Sequence, residues 1–290
     1  IEDNQRHNLL LAEGADTGRC IYPSVRRESM KNIVSIIWGT MMIQMKNSFI
    51  RPMYRFCLIV NPIANTILLY YMFRNSSMSD FMTYVILGAG LSSLWECICF
   101  SSVGDINRER WYGTLPVIFC APAGFNLIVL GKIIGNTVLS LASLAITVLT
   151  AKILFGASIH ITNVPGFLLA FLLAVCTFVV ISQVFAYLLT LSRKTTLYMN
   201  CMSIPIALVC GFVIPVEMLP KWIFPLSYSL PMTWAVKLIR GTFDSNFTGK
   251  EYLHCLMILM IEVIIFTAVF QLLYRVIERQ VKVNASLELM

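Results

Sequence analysis

The chain has 290 residues, of which 58% are apolar and 13% charged, and its formal net charge is +7. A soluble domain carries about a quarter charged residues, so this chain has too few charges to cover a surface that faces water. The basic residues collect at the ends of apolar stretches, which argues against nucleic-acid binding and is typical of membrane orientation signals. We therefore expect an all-α membrane protein.

The chain begins with a polar region, residues 1–30, which we expect to be a mobile cytoplasmic tail of uncertain origin without a cleavable signal peptide. An amphipathic interface helix is predicted over residues 31–55, because its apolar residues recur at steps of three and four. This pattern predicts a helix whose apolar face lies in lipid. The residues on that face are Val34, Trp38, Met41, Met42, Met45 and Phe49.

Six apolar stretches follow, each close to the 20 residues that a helix needs to cross the hydrocarbon core. Together they predict a transmembrane domain over residues 56–278, with a cytoplasmic tail at 279–290. The spans are predicted at roughly 56–73, 81–103, 127–151, 165–191, 197–214 and 252–274.

The orientation of the spans follows from the basic residues beside them. Most lie before span 1, after spans 2 and 4, and after span 6, which places both termini in the cytoplasm by the positive-inside rule. They include Arg51, Arg55, Arg108, Arg110, Arg193, Lys194, Arg275, Arg279 and Lys282.

The break between spans 2 and 3, residues 105–122, mixes charged, aromatic and apolar residues. A simple connection would not need this mixture in water, whereas a short amphipathic helix offered to a cytoplasmic partner would. The alternative is a helix folded back onto the bilayer surface. The candidate contact residues are Arg108, Glu109, Arg110, Trp111, Gly113, Thr114 and Leu115.

Residues 215–251, between spans 5 and 6, combine regularly spaced prolines with aromatic residues. The prolines prevent one long helix but allow short bent ones, which predicts two short re-entrant helices in the outer leaflet. A surface loop with interfacial aromatic residues is the alternative. The predicted gate residues are Pro215, Glu217, Pro220, Pro231 and Trp234.

Among the polar side chains inside predicted spans we single out Glu96, Gln183 and Glu262. A charged carboxylate at the bilayer centre costs roughly 2.5–3.5 kcal/mol on insertion scales. These residues are candidates for a substrate path or for contacts that lock helices together. The alternative is that they are protonated or bonded to a neighbouring helix.

No catalytic residues or metal ligands are predicted. The nine cysteines form no C-x-x-C pair, and the three histidines lie far apart in the sequence. No G-x-x-x-x-G-K-[ST] motif occurs, so the chain cannot hydrolyse ATP through a P-loop. We expect a protein that is not an enzyme and holds no cofactor.

Two stretches of the chain contain recognisable motifs. Residues 109–115 read E-R-W-Y-G-T-L, followed by Ala121-Pro122 and Gly131-Lys132. The stretch 211–220 reads G-F-V-I-P-V-E-M-L-P, and Pro231, Thr233, Trp234 and Arg240 follow it. These motifs resemble those of the ABC-2 family of transporter permeases. Trp111, Pro116 and Lys237 depart from the acidic residues that are common in the family.

The resemblance implies a permease subunit of an ABC exporter in a bacterial plasma membrane. Segment 105–122 would be the coupling helix that enters a cleft on a separate ATP-binding subunit. Two such subunits would be present, and they would bind ATP and Mg. A second copy of this chain or a homologue would complete the assembly in the lipid bilayer, and spans 1, 2 and 5 would line the path. The cargo would be a lipophilic or amphipathic molecule such as a drug, an antibiotic peptide or a lipid.

Two other functions remain open. Export of a lipid-linked polysaccharide would use aromatic residues for sugar stacking, with Trp38, Tyr70, Tyr71 and Trp222 as candidates. An intramembrane enzyme would need acids or a nucleophile with a base on facing spans, for which only Glu96 and Glu262 are available. A channel lacks a recognisable selectivity motif.

Overall fold

The computed structural model shows a helical chain, in agreement with the predicted fold class. It describes residues 30–74, 81–114, 117–118, 121, 124–156, 163–190, 205–243 and 247–284. Residues 1–29 of the predicted tail and residues 197–204 of the predicted span 5 lie outside these ranges. The helices are α1 (Met30–Ile50), α2 (Pro52–Phe73), α3 (Phe81–Trp111), α4 (Phe125–Phe155), α5 (Val164–Thr190), α6 (Phe224–Tyr228), α7 (Pro231–Gly241) and α8 (Gly249–Asn284).

Four described helices are long and apolar enough to cross a membrane. The qualifying stretches are Pro52–Phe73, Phe125–Phe155, Val164–Ala186 and Gly249–Arg275, which correspond to predicted spans 1, 3, 4 and 6. In α3 the apolar stretch Thr83–Cys99 is shorter. The chain is therefore a multi-pass membrane protein, and its total of six spans remains a prediction.

Helix α3 continues further than the sequence predicts. It contains 31 residues, about 46 Å of helix, and runs without interruption to Trp111. Two residues after the end of the helix, Gly113 has a φ of 67°, the left-handed conformation that glycine adopts at low cost. The first half of the predicted coupling helix, residues 105–111, is thus the last two turns of α3. Of the rest of segment 105–122, the structure describes the turn at 112–114 and residues 117–118 and 121.

Helix α1 packs along α4, and glycines on α4 allow the close approach. A Cβ atom at Gly131 would overlap the Thr40 side chain, and one at Gly135 would lie 2.8 Å from the carbonyl oxygen of Met41. Gln44, on the side of α1 that packs against α4, is only 3% exposed, while Trp38 is exposed. The helix therefore buries a polar side in protein and leaves apolar residues facing outward, where lipid can cover them.

The largest apolar core lies among α3, α5, α7 and α8. Its biggest fully buried side chains include Trp95 of α3, Phe178 of α5 and Leu238 of α7. Trp95 and Phe178 are in ring contact, with centroids 5.9 Å apart. The proline-rich connection predicted between spans 5 and 6 thus contains one helix, α7, that packs into the core rather than remaining on the surface.

Candidate functional site

A buried carboxylate near the end of α3 is the centre of a polar cluster that joins three helices. Asp105 is 4% exposed, and its Oδ2 atom accepts hydrogen bonds from the amides of Gln44 on α1 and Asn136 on α4, the latter at 2.7 Å. Its Oδ1 atom pairs with Arg108 of the same helix and lies 3.1 Å from the guanidinium of Arg51. We call these residues, with Ser48, the Asp105 cluster.

The amide and hydroxyl groups of the cluster also bond to one another. The Ser48 hydroxyl donates to Asn136 Oδ1 at 2.8 Å, and the Gln44 amide lies 2.9 Å from Ser48 Oγ. Arg51 donates to the same Ser48 oxygen at 3.0 Å. Buried polar groups are tolerable when their hydrogen bonds are made internally, so this network fixes the relative positions of α1, α3 and α4.

Two arginines and one carboxylate leave the Asp105 cluster with an excess positive charge. Burial, together with the neighbouring charge of Arg51, lowers the pKa of the Arg108 guanidinium to about 10. Burial also lowers the pKa of Arg51. Both groups remain protonated at neutral pH, so Asp105 faces two cations whose own hydration is reduced.

Four residues after Asp105, Glu109 makes a second connection between the end of α3 and α4. Its carboxylate accepts hydrogen bonds from the Thr114 hydroxyl and from the Lys132 ammonium. Burial raises the pKa of Glu109, but these two hydrogen bonds and the charges of Lys132 and Arg108 outweigh it, so the pKa lies below its ordinary value. Glu109 is therefore ionised at neutral pH.

The remaining predicted coupling residues lie around this ion pair. Arg110 is half-buried, whereas Trp111 is 83% exposed at the end of α3. Gly113 forms the left-handed turn, and the Thr114 amide donates to the Glu109 carbonyl at 2.9 Å. Leu115 lies outside the described residues.

The polar residues predicted inside the spans have separate partners. Glu96 lies half-buried between α2 and α3, 3.4 Å from the amide nitrogens of both Asn61 and Asn65. The Trp234 indole of α7 donates to Glu262 of α8 at 3.2 Å. No hydrogen bond joins Glu96 to Glu262, and Gln183 is buried on α5.

The predicted gate residues do not form a single site. Pro215 precedes the 3-10 turn Val216–Met218, and Glu217 and Pro220 are exposed. Pro231 occupies the first turn of α7, where its missing N–H costs no hydrogen bond. The Trp234 indole also lies 3.1 Å from the Tyr228 carbonyl, which connects α6, α7 and α8.

The aromatic residues considered for sugar stacking lie on different elements. Trp38 of α1, Tyr71 of α2 and Trp222 before α6 are exposed. The Tyr70 ring stacks on Phe155 of α4, with centroids 3.6 Å apart. Tyr70 therefore already has a partner within the protein.

The Asp105 cluster contains residues that sequence reasoning did not place in a site. Gln44 and Asn136 are amides within otherwise apolar or mixed helices, and Asp105 is the first residue of the predicted connection 105–122. Their shared signal is an amide or carboxylate side chain within a largely apolar helix or near its end. Among the described residues, no group of three His, Cys, Asp or Glu side chains could hold a metal ion.

Comparison with known proteins supplies a family match. A family model described as ABC-2 type transporter matches residues 35–243. The matched range begins in α1, includes the Asp105 cluster and the Glu109–Lys132 pair, and ends just after α7. A comparison with curated proteins gives no match.

Proposed function

We propose how this chain works as a permease, starting from the finding that it belongs to the ABC-2 type transporter family. A membrane domain of this family is the permease subunit of an ABC exporter, and such permeases generally work with an ATP-binding subunit. In our proposal, two separate ATP-binding subunits bind ATP and Mg and dock at the end of α3. A second copy of the chain or a homologue completes the pathway in a bacterial plasma membrane, with both termini in the cytoplasm.

The observation that carries the proposal is the position of Glu109. Its carboxylate binds Thr114 in the turn after α3 and Lys132 in α4, so a force applied to that turn reaches two helices directly. Beside it, the exposed side chains of Trp111 and Tyr112 offer an apolar surface to a docking partner. A partner that moves these aromatic side chains would move α3 and α4 together.

The Asp105 cluster extends this connection to α1. Asp105 bonds to Gln44 and Asn136 and pairs with Arg51, which places all three helices in one hydrogen-bonded unit. A packed polar network with few alternative arrangements transmits displacement better than a flexible loop. In the proposal, α1 and the first part of α4 follow the end of α3 during the ATP-driven cycle.

The cargo in this proposal is lipophilic or amphipathic and moves outward. An apolar cavity of about 250 Å³ between α3, α4, α5 and α7 supports this class, since its lining is aliphatic and aromatic. The cavity is lined by Thr83, Ile86, Leu87, Leu91, Leu144, Val148, Phe167, Phe171, Ile239 and Phe243. Glu96, partly exposed between α2 and α3, is a candidate for the polar end of an amphipathic cargo.

The experiment reconstitutes the chain with a candidate ATP-binding subunit in liposomes and measures ATP hydrolysis and export of a lipophilic dye together. Substitution Glu109→Gln removes the ion pair with Lys132 but keeps the shape of the side chain. We expect ATP hydrolysis to continue while export falls about tenfold, which corresponds to the loss of about 1.4 kcal/mol of coupling.

The matched control is Glu251→Gln, the same chemical change at an exposed position in the first turn of α8. Unchanged export in E109Q would rule out the coupling role of the ion pair. If no ATP-binding subunit co-purifies with the chain, the proposal that such a subunit docks at the end of α3 is contradicted.

A further inference from the structure

A polar cavity lies at the opposite end of α3 from the Asp105 cluster. It is a cleft of about 220 Å³ between the first turns of α3, the turn that follows residues 205–209, and α7. It is lined by Tyr84, Cys210, Gly211, Pro215, Val216, Glu217, Tyr228, Thr233, Val236, Lys237, Arg240, Gly241 and Phe247. We call it the α7 cleft.

Two cations one turn apart on α7 face this cleft. The Arg240 guanidinium donates one hydrogen bond to the Phe212 carbonyl at 2.9 Å and lies over the Tyr84 ring, 5.0 Å from its centroid. Its Nε atom is buried and has no hydrogen-bond partner among the described residues. A buried N–H without an acceptor is costly, so this donor is available for a ligand that enters the cleft.

Lys237 is the second cation, and its ammonium lies near two aromatic rings. Its Nζ atom lies 5.8 Å from the Tyr228 ring centroid and 5.7 Å from that of Trp234. Lys237 and Arg240 are three residues apart on one helix, so their side chains lie on the same face. Glu217 is the one described carboxylate in the lining. Its charge acts on Arg240, but Glu217 is exposed, so solvent and salt weaken this interaction.

The cleft is preformed because the backbone on both of its sides is fixed. Gly211 has a φ of 77°, which allows the chain to turn sharply before Phe212. The Phe212 carbonyl lies against Gly88 of α3, so closely that a Cβ atom there would be 2.7 Å from the oxygen. The same carbonyl accepts the Arg240 hydrogen bond. The guanidinium is thus held in place before any ligand binds.

We propose that the α7 cleft binds a phosphate group. Two adjacent cations with an unused, preoriented N–H donor suit a tetrahedral oxyanion, which accepts several charge-assisted hydrogen bonds at once. The aromatic rings of Tyr84 and Tyr228 also line the cleft. The phosphate belongs either to the headgroup of an anionic lipid or to a soluble phosphate compound, and the experiment separates these sources.

The test measures how much phosphatidylglycerol the purified full chain retains in neutral detergent, by native mass spectrometry. In Lys237→Gln we expect retention to fall about tenfold, because one of the two charge-assisted contacts is lost. Lys221→Gln removes the same charge from an exposed lysine outside the cleft and should retain lipid like the unsubstituted chain. Arg240→Lys keeps the charge and removes the Nε donor, so it should also weaken retention.

Inorganic phosphate, added to the same samples, identifies the source. Lipid retention that resists millimolar phosphate, but is lost in K237Q, assigns the site to a lipid headgroup. Direct binding of inorganic phosphate, with the same dependence on Lys237, assigns it to a soluble phosphate compound. Equal binding of both probes by the unsubstituted chain, K237Q, R240K and K221Q would overturn the proposal. Thermal unfolding of each variant confirms that it is folded. If K237Q is not folded, binding of the two probes to R240K decides whether the cleft binds phosphate.

Discussion

Lys132 and Glu109 form an ion pair that joins the start of α4 to the end of α3 across 23 positions of sequence. The two motifs that contain them, E-R-W-Y-G-T-L and G-K, therefore meet at one contact. Their order in the sequence matches this geometry. Glu109 lies near the end of α3, and Lys132 lies near the start of α4, so the carboxylate and the ammonium can meet.

The first prediction exchanges the charges of this pair. Lys132→Glu alone places two carboxylates together and should abolish coupled export, because like charges replace a part-buried attraction. The double variant Glu109→Lys, Lys132→Glu restores the attraction and should recover at least part of the export per ATP hydrolysed. A double variant no better than K132E would show that the pair acts through something other than charge.

The second prediction concerns the buried carboxylate of the Asp105 cluster. Asp105→Asn leaves Arg51 and Arg108 without a counter-charge, so we expect the free energy of unfolding to fall by about 2–3 kcal/mol, below the range for a fully buried pair because both arginines are partly exposed. The unfolding midpoint in detergent measures this loss. The exposed Glu251→Gln variant should stay within about 0.5 kcal/mol of the unsubstituted chain.

The third prediction compares two glycines in helices that pack together. Gly131→Ala should destabilise the protein, because its Cβ would overlap Thr40 and lie 2.9 Å from the Ile37 carbonyl oxygen. Gly39→Ala meets nothing within 4 Å and should stabilise α1 by about 0.5–1 kcal/mol, through helix propensity alone. Unfolding midpoints that move in the same direction for both variants would contradict the close packing of α1 on α4.

The fourth prediction is the pH dependence of the Glu109 contact. The folded protein holds the pKa of Glu109 below its ordinary value of 4.5, so the contact contributes its full stability above pH 4.5. That contribution is lost only as the pH falls through the lower folded pKa. The difference in unfolding free energy between the unsubstituted chain and E109Q should be constant from pH 8 to 5, begin to fall near pH 4.5, and disappear only below the folded pKa. A difference that changes between pH 8 and 5 would place another titrating group at this contact.

The sequence alone predicts the apolar helices well, because length and hydropathy decide them. Spans 1, 3, 4 and 6 coincide with helices that are long and apolar enough to cross a membrane. Of the candidate coupling residues, Glu109, Gly113 and Thr114 lie in one turn at the end of α3, and Glu109 pairs with Lys132 of α4. Their role in coupling remains a prediction.

The relationship between α1 and α4 could not be predicted in the same way. An amphipathic pattern says only that a helix has two unlike sides, and the usual assumption is that the polar side faces water. Here Gln44 and Ser48 face Asn136 and Asp105, which are distant in the sequence. The continuation of α3 to Trp111 was missed for a similar reason. Its charged last turns are satisfied by partners on other helices, so the charges do not mark a break.

The orientation of α1 also reverses the ordinary pattern of tolerance to substitution. In a water-soluble helix the apolar positions are restricted in size and the polar ones vary freely. On α1 the outward positions, such as Val34 and Phe49, are more than half exposed in the described part of the chain, so we expect them to accept almost any apolar side chain. The restricted positions are the polar ones, where a longer or charged side chain at Ser48 would have no room beside Asn136. Substitutions in this helix should therefore accumulate at its apolar positions, while its polar residues stay unchanged.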